Sequence, residues 1–144
     1  MKRGISTGGA SVRIAALLLI GAAGCAGTPE KVGDKFVDLY FVETDQAGAK
    51  PLTTGLAEKK LDDELKLVSE VRKTVDGNAP KPSVFYTRRS LRADGEHANI
   101  TYDLTIRFGG DETRKNAMLS LERKDEGWRV ANFLVSEGQL PASR

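Results

Sequence analysis

Hydrophobic spacing divides the chain into stretches of different period. Ile14 to Gly24 is an unbroken small and apolar run without charge. From Glu30 to about Thr44, Val32, Phe36, Leu39 and Tyr40 recur at i, i+4, i+7 and i+8, one stripe of a helix. Val37 and Phe41 widen that stripe and predict a deeply covered helix, with Thr28 as its cap and Pro29 at its first position. Ala47-Gly48-Ala49-Lys50-Pro51 breaks the pattern. A second helix is predicted from about Thr54 to Thr74, with Leu61, Leu65, Val68, Val71 and Val75 facing one way. Asp76-Gly77-Asn78 ends it, and Pro80 and Pro82 prevent its resuming.

The period then changes to two. Ser83 to Arg92 reads as a strand. Ala98 to Phe108 alternates, with Ile100, Tyr102, Leu104, Ile106 and Phe108 on one face and Asn99, Thr101, Asp103, Thr105 and Arg107 on the other. Arg114 to Arg123 groups Ala117, Leu119 and Leu121, and Trp128 to Val135 is the last strand. Between these strands stand Ala93-Asp94-Gly95-Glu96, Gly109-Gly110-Asp111 and Lys124-Asp125-Glu126-Gly127, each a hairpin signal. Four strands joined by short turns make an antiparallel meander with one face to cover, and the preceding helices are the available cover. The expected class is α+β: N-terminal helices packed on a curved four-stranded antiparallel meander sheet.

Charge adds an exclusion. The 144 residues carry 22 basic and 20 acidic side chains. Lys2, Arg3 and Arg13 precede the apolar run; taking those three from 22 leaves 19 against 20, a nearly neutral remainder. Nucleic acid is not an expected partner, because its binding rests on clustered Lys and Arg. About 120 residues bury roughly two-thirds of their unfolded surface, enough for a core without disulfides. Cys25 is the single cysteine, so none forms within the chain.

The basic start, the eleven-residue run Ile14 to Gly24 and the small residues that close it before the cleavage point describe a secretory signal peptide. The run is too short for a membrane span, which needs about 20 residues. Ala22-Ala23-Gly24-Cys25 resembles the lipobox of bacterial lipoproteins, with Ala22 where that pattern favours Leu. The resemblance implies removal of residues 1–24, lipidation of Cys25 and a short tether over 25–29. Cleavage elsewhere in the leader, for example after Ala23, is the alternative. Lipoproteins of this type carry several acyl chains, enough for stable anchoring. In such proteins Asp after the cysteine goes with inner-membrane retention. Here Ala26 stands there, which implies an exported protein held on the outer membrane, facing the periplasm.

Residues 30–136 resemble, by the order of their elements and the closing Gly127-Trp128-Arg129-Val130, the cone-shaped nuclear transport factor 2-like (cystatin-like) fold. Residues 137–144 are expected to form a tail. That superfamily includes enzymes and binders, so fold does not give function. Its proton-abstracting enzymes use an Asp or His inside the cone. Asp103 lies on the solvated parity and His97 beside a turn, so both are expected to be surface residues, and no catalytic residue is assigned. Phe36, Tyr40, Tyr86, Tyr102, Trp128 and Asn132 are the pocket-lining candidates. Asn132 shares parity with Trp128, Val130 and Leu134, which predicts all four inward unless a bulge intervenes, and an inward amide needs hydrogen bonds. One histidine and a lipid-committed cysteine leave no metal cluster, and no cofactor motif is present.

The expected function is that of a membrane-anchored, non-enzymatic domain binding a small molecule or an envelope protein. One alternative is a structural subunit of an envelope complex. The other is an isomerase- or dehydratase-type enzyme in which Asn132, with Tyr86 or Tyr102, polarises a carbonyl.

Overall fold

A computed structural model describes residues 27–71 and 80–138. The leader, Cys25, the expected end of the second helix with Val75, and the last six residues of the expected tail lie outside the described residues.

Helix α1 spans Pro29–Val37. The Thr28 hydroxyl oxygen accepts from the Lys31 N–H at 3.4 Å, and Pro29 stands where a backbone donor would have no partner. The single helix expected to Thr44 instead changes pitch at Asp38 into a π-helical turn, Asp38–Val42. This places Asp38, Leu39, Tyr40 and Phe41 one residue out of α-helical phase. Thr44, at φ 57°, ends the segment, and the Asp45 N–H reaches back to the Leu39 carbonyl at 2.7 Å.

The interruption at 47–51 holds structure of its own. Helix α2 (Gln46–Ala49) is capped by Asp45, whose Oδ1 accepts from the Gly48 N–H at 2.8 Å, and a 3₁₀ turn follows over Lys50–Leu52. Helix α3 spans Gly55–Val71. Ala57 and Leu61 are buried, Leu65 and Val68 half-buried, and Val71 exposed, so its covered stripe fades toward the C-terminus.

Strands β1 (Ser83–Ala93), β2 (His97–Phe108), β3 (Asp111–Lys124) and β4 (Gly127–Glu137) form one antiparallel sheet in the order β1-β2-β3-β4. Gly109 and Gly110, at φ 59° and 95°, supply the two positive dihedrals that a tight two-residue hairpin needs. Glu137 and Gly138 were expected in the tail, but Glu137 pairs with Lys115, and the Gly138 N–H donates to the Arg114 carbonyl at 2.9 Å.

Two bulges bend the sheet. β1 carries one extra residue, Arg89, between Arg88 and Ser90. β4 carries another, Ala131, between Val130 and Asn132. The second reverses the expected parity: Phe133 turns into the core, and Leu134, expected inward, is 57% exposed. Phe108, also expected inward, ends its strand and is 53% exposed.

The covered face of the sheet supplies Ile100, Tyr102, Leu104, Leu119, Leu121 and Val130 to the core, and the helices supply Phe36, Val37 and Leu61. Among the described residues no helix is long and apolar enough to cross a membrane.

Candidate functional site

Two groups of rings form where the helices meet the sheet. In the first, Phe36 stacks on Tyr40 at 5.4 Å between centroids, and Phe133 meets both, at 5.3 and 4.9 Å. Such pairs add about 0.5–1.5 kcal/mol each beyond their buried area. The π turn positions Tyr40 so that its hydroxyl donates to Glu64 of α3 at 2.7 Å. The centre of the fold between α1, α3 and β4 is thus occupied by side chains.

In the second group Tyr86 and Tyr102 meet edge to face at 5.7 Å. The Tyr102 hydroxyl donates to Asp34 at 2.8 Å, and Arg88 donates to the same carboxylate at 3.1 Å. Tyr86 bonds Asp38, one helical turn further on. Gly33 makes this junction: it lets α1 lie directly over Tyr102 and Ile100.

All three phenols resist ionisation. Burial first, then the hydrogen bond to Asp34, raises Tyr102 well above the ordinary phenol range. Burial and Glu64 do the same to Tyr40. Tyr86 is pushed up to about 12 by burial and Asp38. A phenol donating to a carboxylate is a poor base near neutrality.

Of the six pocket-lining candidates, Phe36 and Tyr40 come together, as do Tyr86 and Tyr102. Trp128 is buried and joins neither ring group. Asn132 stands past the Ala131 bulge at the β4 edge, where its Oδ1 accepts from Lys60 Nζ at 2.9 Å and from the Phe133 N–H at 2.9 Å. The same ammonium donates to the Phe133 carbonyl at 2.7 Å, so Lys60 ties α3 to that edge. The polar atoms of Asn132, Tyr86 and Tyr102 therefore bond different partners on different elements.

Sequence reasoning missed Asp34, Asp38, Glu64, Arg88, Lys60 and Phe133. The available signal was Asp34 and Asp38, two acids one helical turn apart on the face next to Val37 and Phe41. Asp103 lies on the outer face and pairs with Arg89 at 3.1 Å. His97 is exposed at the hairpin, with Nδ1 3.5 Å from Asp94. The N–H groups of Glu96 and His97 hold the Asp94 carboxyl below its ordinary range. No group of metal-ligating side chains occurs among the described residues.

The outer face of the sheet holds a trough of about 430 Å³ over β1, β2 and β3. Phe85, Thr87, Arg89, Asp103, Thr105, Arg114 and Asn116 line it.

No protein family's sequence profile matches the chain, and no curated protein does. Solved structures do match. One, from Thiobacillus denitrificans, is described as a calcium/calmodulin-dependent protein kinase type II association domain; it is 14% identical, with a TM-score of 0.58 over 78% of this chain and 96% of its own. Another, an NTF-2-like protein of unknown function from Shewanella oneidensis, is 9% identical, with a TM-score of 0.54 over 76% of this chain and all of its own. Helices followed by a four-stranded antiparallel sheet, matched over that length, identify the fold as the NTF2-like α+β cone.

Proposed function

We propose that the chain is an exported lipoprotein, anchored to the outer membrane through lipid on Cys25, whose NTF2-like domain binds a small molecule or an envelope protein and does not catalyse. The observation that carries the binding half is the filled cone. Phe36, Tyr40 and Phe133 occupy the space a substrate would need, and the nearby phenols are committed to Glu64, Asp34 and Asp38. The anchoring half rests on the leader sequence and on Thr28. Because Thr28 already caps α1, the residues between it and Cys25 span only about 10 Å even when extended. The domain would sit against the membrane surface.

Intact mass and membrane fractionation of wild-type and Cys25→Ser protein from a bacterial host test the anchor. The expected result is a diacyl or triacyl mass on a chain beginning at Cys25, absent from the variant, which leaves the membrane fraction. An unlipidated wild-type chain overturns it. For the binding half, His97→Ala is expected to leave the domain's role intact, because His97 is exposed at the hairpin and pairs with Asp94. A substrate-dependent activity lost on Asn132→Ala would instead favour the isomerase or dehydratase reading.

A further inference from the structure

The trough on the outer face is built by register. Thr87, Asp103 and Asn116 are cross-strand neighbours in one row across β1, β2 and β3. Phe85, Thr105 and Arg114 make the next row. Arg89, the extra residue of the β1 bulge, donates to Asp103 from the side at 3.1 Å. The result is one aromatic ring, 53% exposed, beside a floor of alternating donors and acceptors.

The charges select among ligands. Of the three cations lining the trough, Arg89 is already paired with Asp103, Arg114 with Glu112 at 3.3 Å and Lys115 with Glu137 at 3.1 Å. An anion entering here must displace a carboxylate from its cation. An apolar ligand would strip water from these ion pairs without replacing its hydrogen bonds. A polyhydroxylated ring does neither. Each hydroxyl donates and accepts, so adjacent hydroxyls can bridge Asp103, Asn116 and Arg114 with the ion pairs intact. The C–H face of such a ring packs on a phenyl group, and Phe85 offers one, with Arg107 holding it from 5.1 Å. A volume of about 430 Å³ is within the usual range for small-molecule sites.

We propose that the row Thr87–Asp103–Asn116 with Phe85 is a binding site for a neutral oligosaccharide. The proposal deepens the binding reading above and rests on it. Saturation-transfer NMR on the full-length lipidated protein in detergent tests it, with maltotriose and the N-acetylglucosamine trisaccharide as probes. Transfer to sugar ring C–H protons is expected from at least one probe, reduced about tenfold in Phe85→Ala and in Asn116→Ala. Phe85 is exposed and Asn116 half-buried on the outer face, and neither belongs to the core, so both variants are expected to keep the wild-type melting temperature. Absence of transfer to both sugars overturns the site, as does transfer that both variants retain. Competition by inorganic phosphate marks an anion site and also overturns it. Burial of this face in a second copy, seen as a dimer by ultracentrifugation and no transfer, overturns it too. Lipid on Cys25 is read separately by mass, so failure of the sugar site and failure of the anchor are distinguishable.

Discussion

A methyl group built on Gly33 would stand 2.6 Å from the Tyr102 hydroxyl oxygen and 2.7 Å from Ile100 Cδ1. Helix propensity alone favours Ala over Gly by about 0.5–1 kcal/mol at an interior position. Overpacking opposes it with about 1–3 kcal/mol, and Tyr102 is fully buried and tied to Asp34, so it has nowhere to retreat. Gly33→Ala is therefore expected to lower stability by about 1 kcal/mol or more and the melting temperature by several degrees. Combining it with Tyr102→Phe, which removes the closest atom, is expected to cost less than the two changes summed. A raised melting temperature in Gly33→Ala would mean α1 does not lie on Tyr102.

Lys60 and Asn132 make a second such junction. The ammonium is shared between Asn132 Oδ1 and the Phe133 carbonyl and sits 4.9 Å from the Phe133 ring. Asn132→Ala removes one acceptor and the cap on the Phe133 N–H, and is expected to cost about 1 kcal/mol in urea denaturation. Lys60→Met is expected to cost a similar amount, and the double variant less than the sum, because both break one arrangement. Strict additivity would separate the two residues.

Much of this architecture was legible because it is local. Thr28-Pro29 announces the start of α1, and the alternation from Ala98 to Leu104 announces which face of β2 is buried. The hairpins at 94–96, 109–110 and 125–126 stand where Gly and Asp promised them. The two bulges were not legible. Ala131 has no feature that marks an extra residue, so period two runs through it and turns Leu134 inward and Phe133 outward, the reverse of their burial. The phase change at Asp38 is equally silent. The ring groups depend on both, and their hydrogen bonds join residues 24 and 68 positions apart, Tyr40 to Glu64 and Tyr102 to Asp34. Pairings across that distance are set by topology, which periodicity does not encode.

The three tyrosines give a pH signature. A phenol whose folded pKa is raised contributes stability that is fully present below its unfolded value near 10 and is lost as pH rises toward the folded value. Tyr86, pushed up to about 12, places this loss between pH 10 and 12, and Tyr40 and Tyr102, raised further, extend it upward. Phenolate absorbance is expected to stay low at pH 10 and to rise together with loss of the far-ultraviolet circular dichroism signal. Three phenolates titrating near pH 10 with the fold intact would contradict the hydrogen bonds to Asp34, Asp38 and Glu64.

Whether the cone is filled in solution has a direct test at Phe133, which is 6% exposed and touches both Phe36 and Tyr40. Truncating a buried phenylalanine costs about 3–5 kcal/mol, part of it for the cavity left behind. That cavity would be lined by the Phe36 and Tyr40 rings and neighbouring aliphatic groups, with the Lys60 ammonium, 4.9 Å from the Phe133 ring, on one side, and a mainly apolar cavity accepts small aromatic molecules. Phe133→Ala is expected to be strongly destabilised and to regain part of its melting temperature in the presence of benzene or indole, since a ligand that binds only the folded state stabilises it. The wild-type protein is expected to show no such shift, because Phe133 already occupies the space. An equal shift in wild type would mean the rings open in solution.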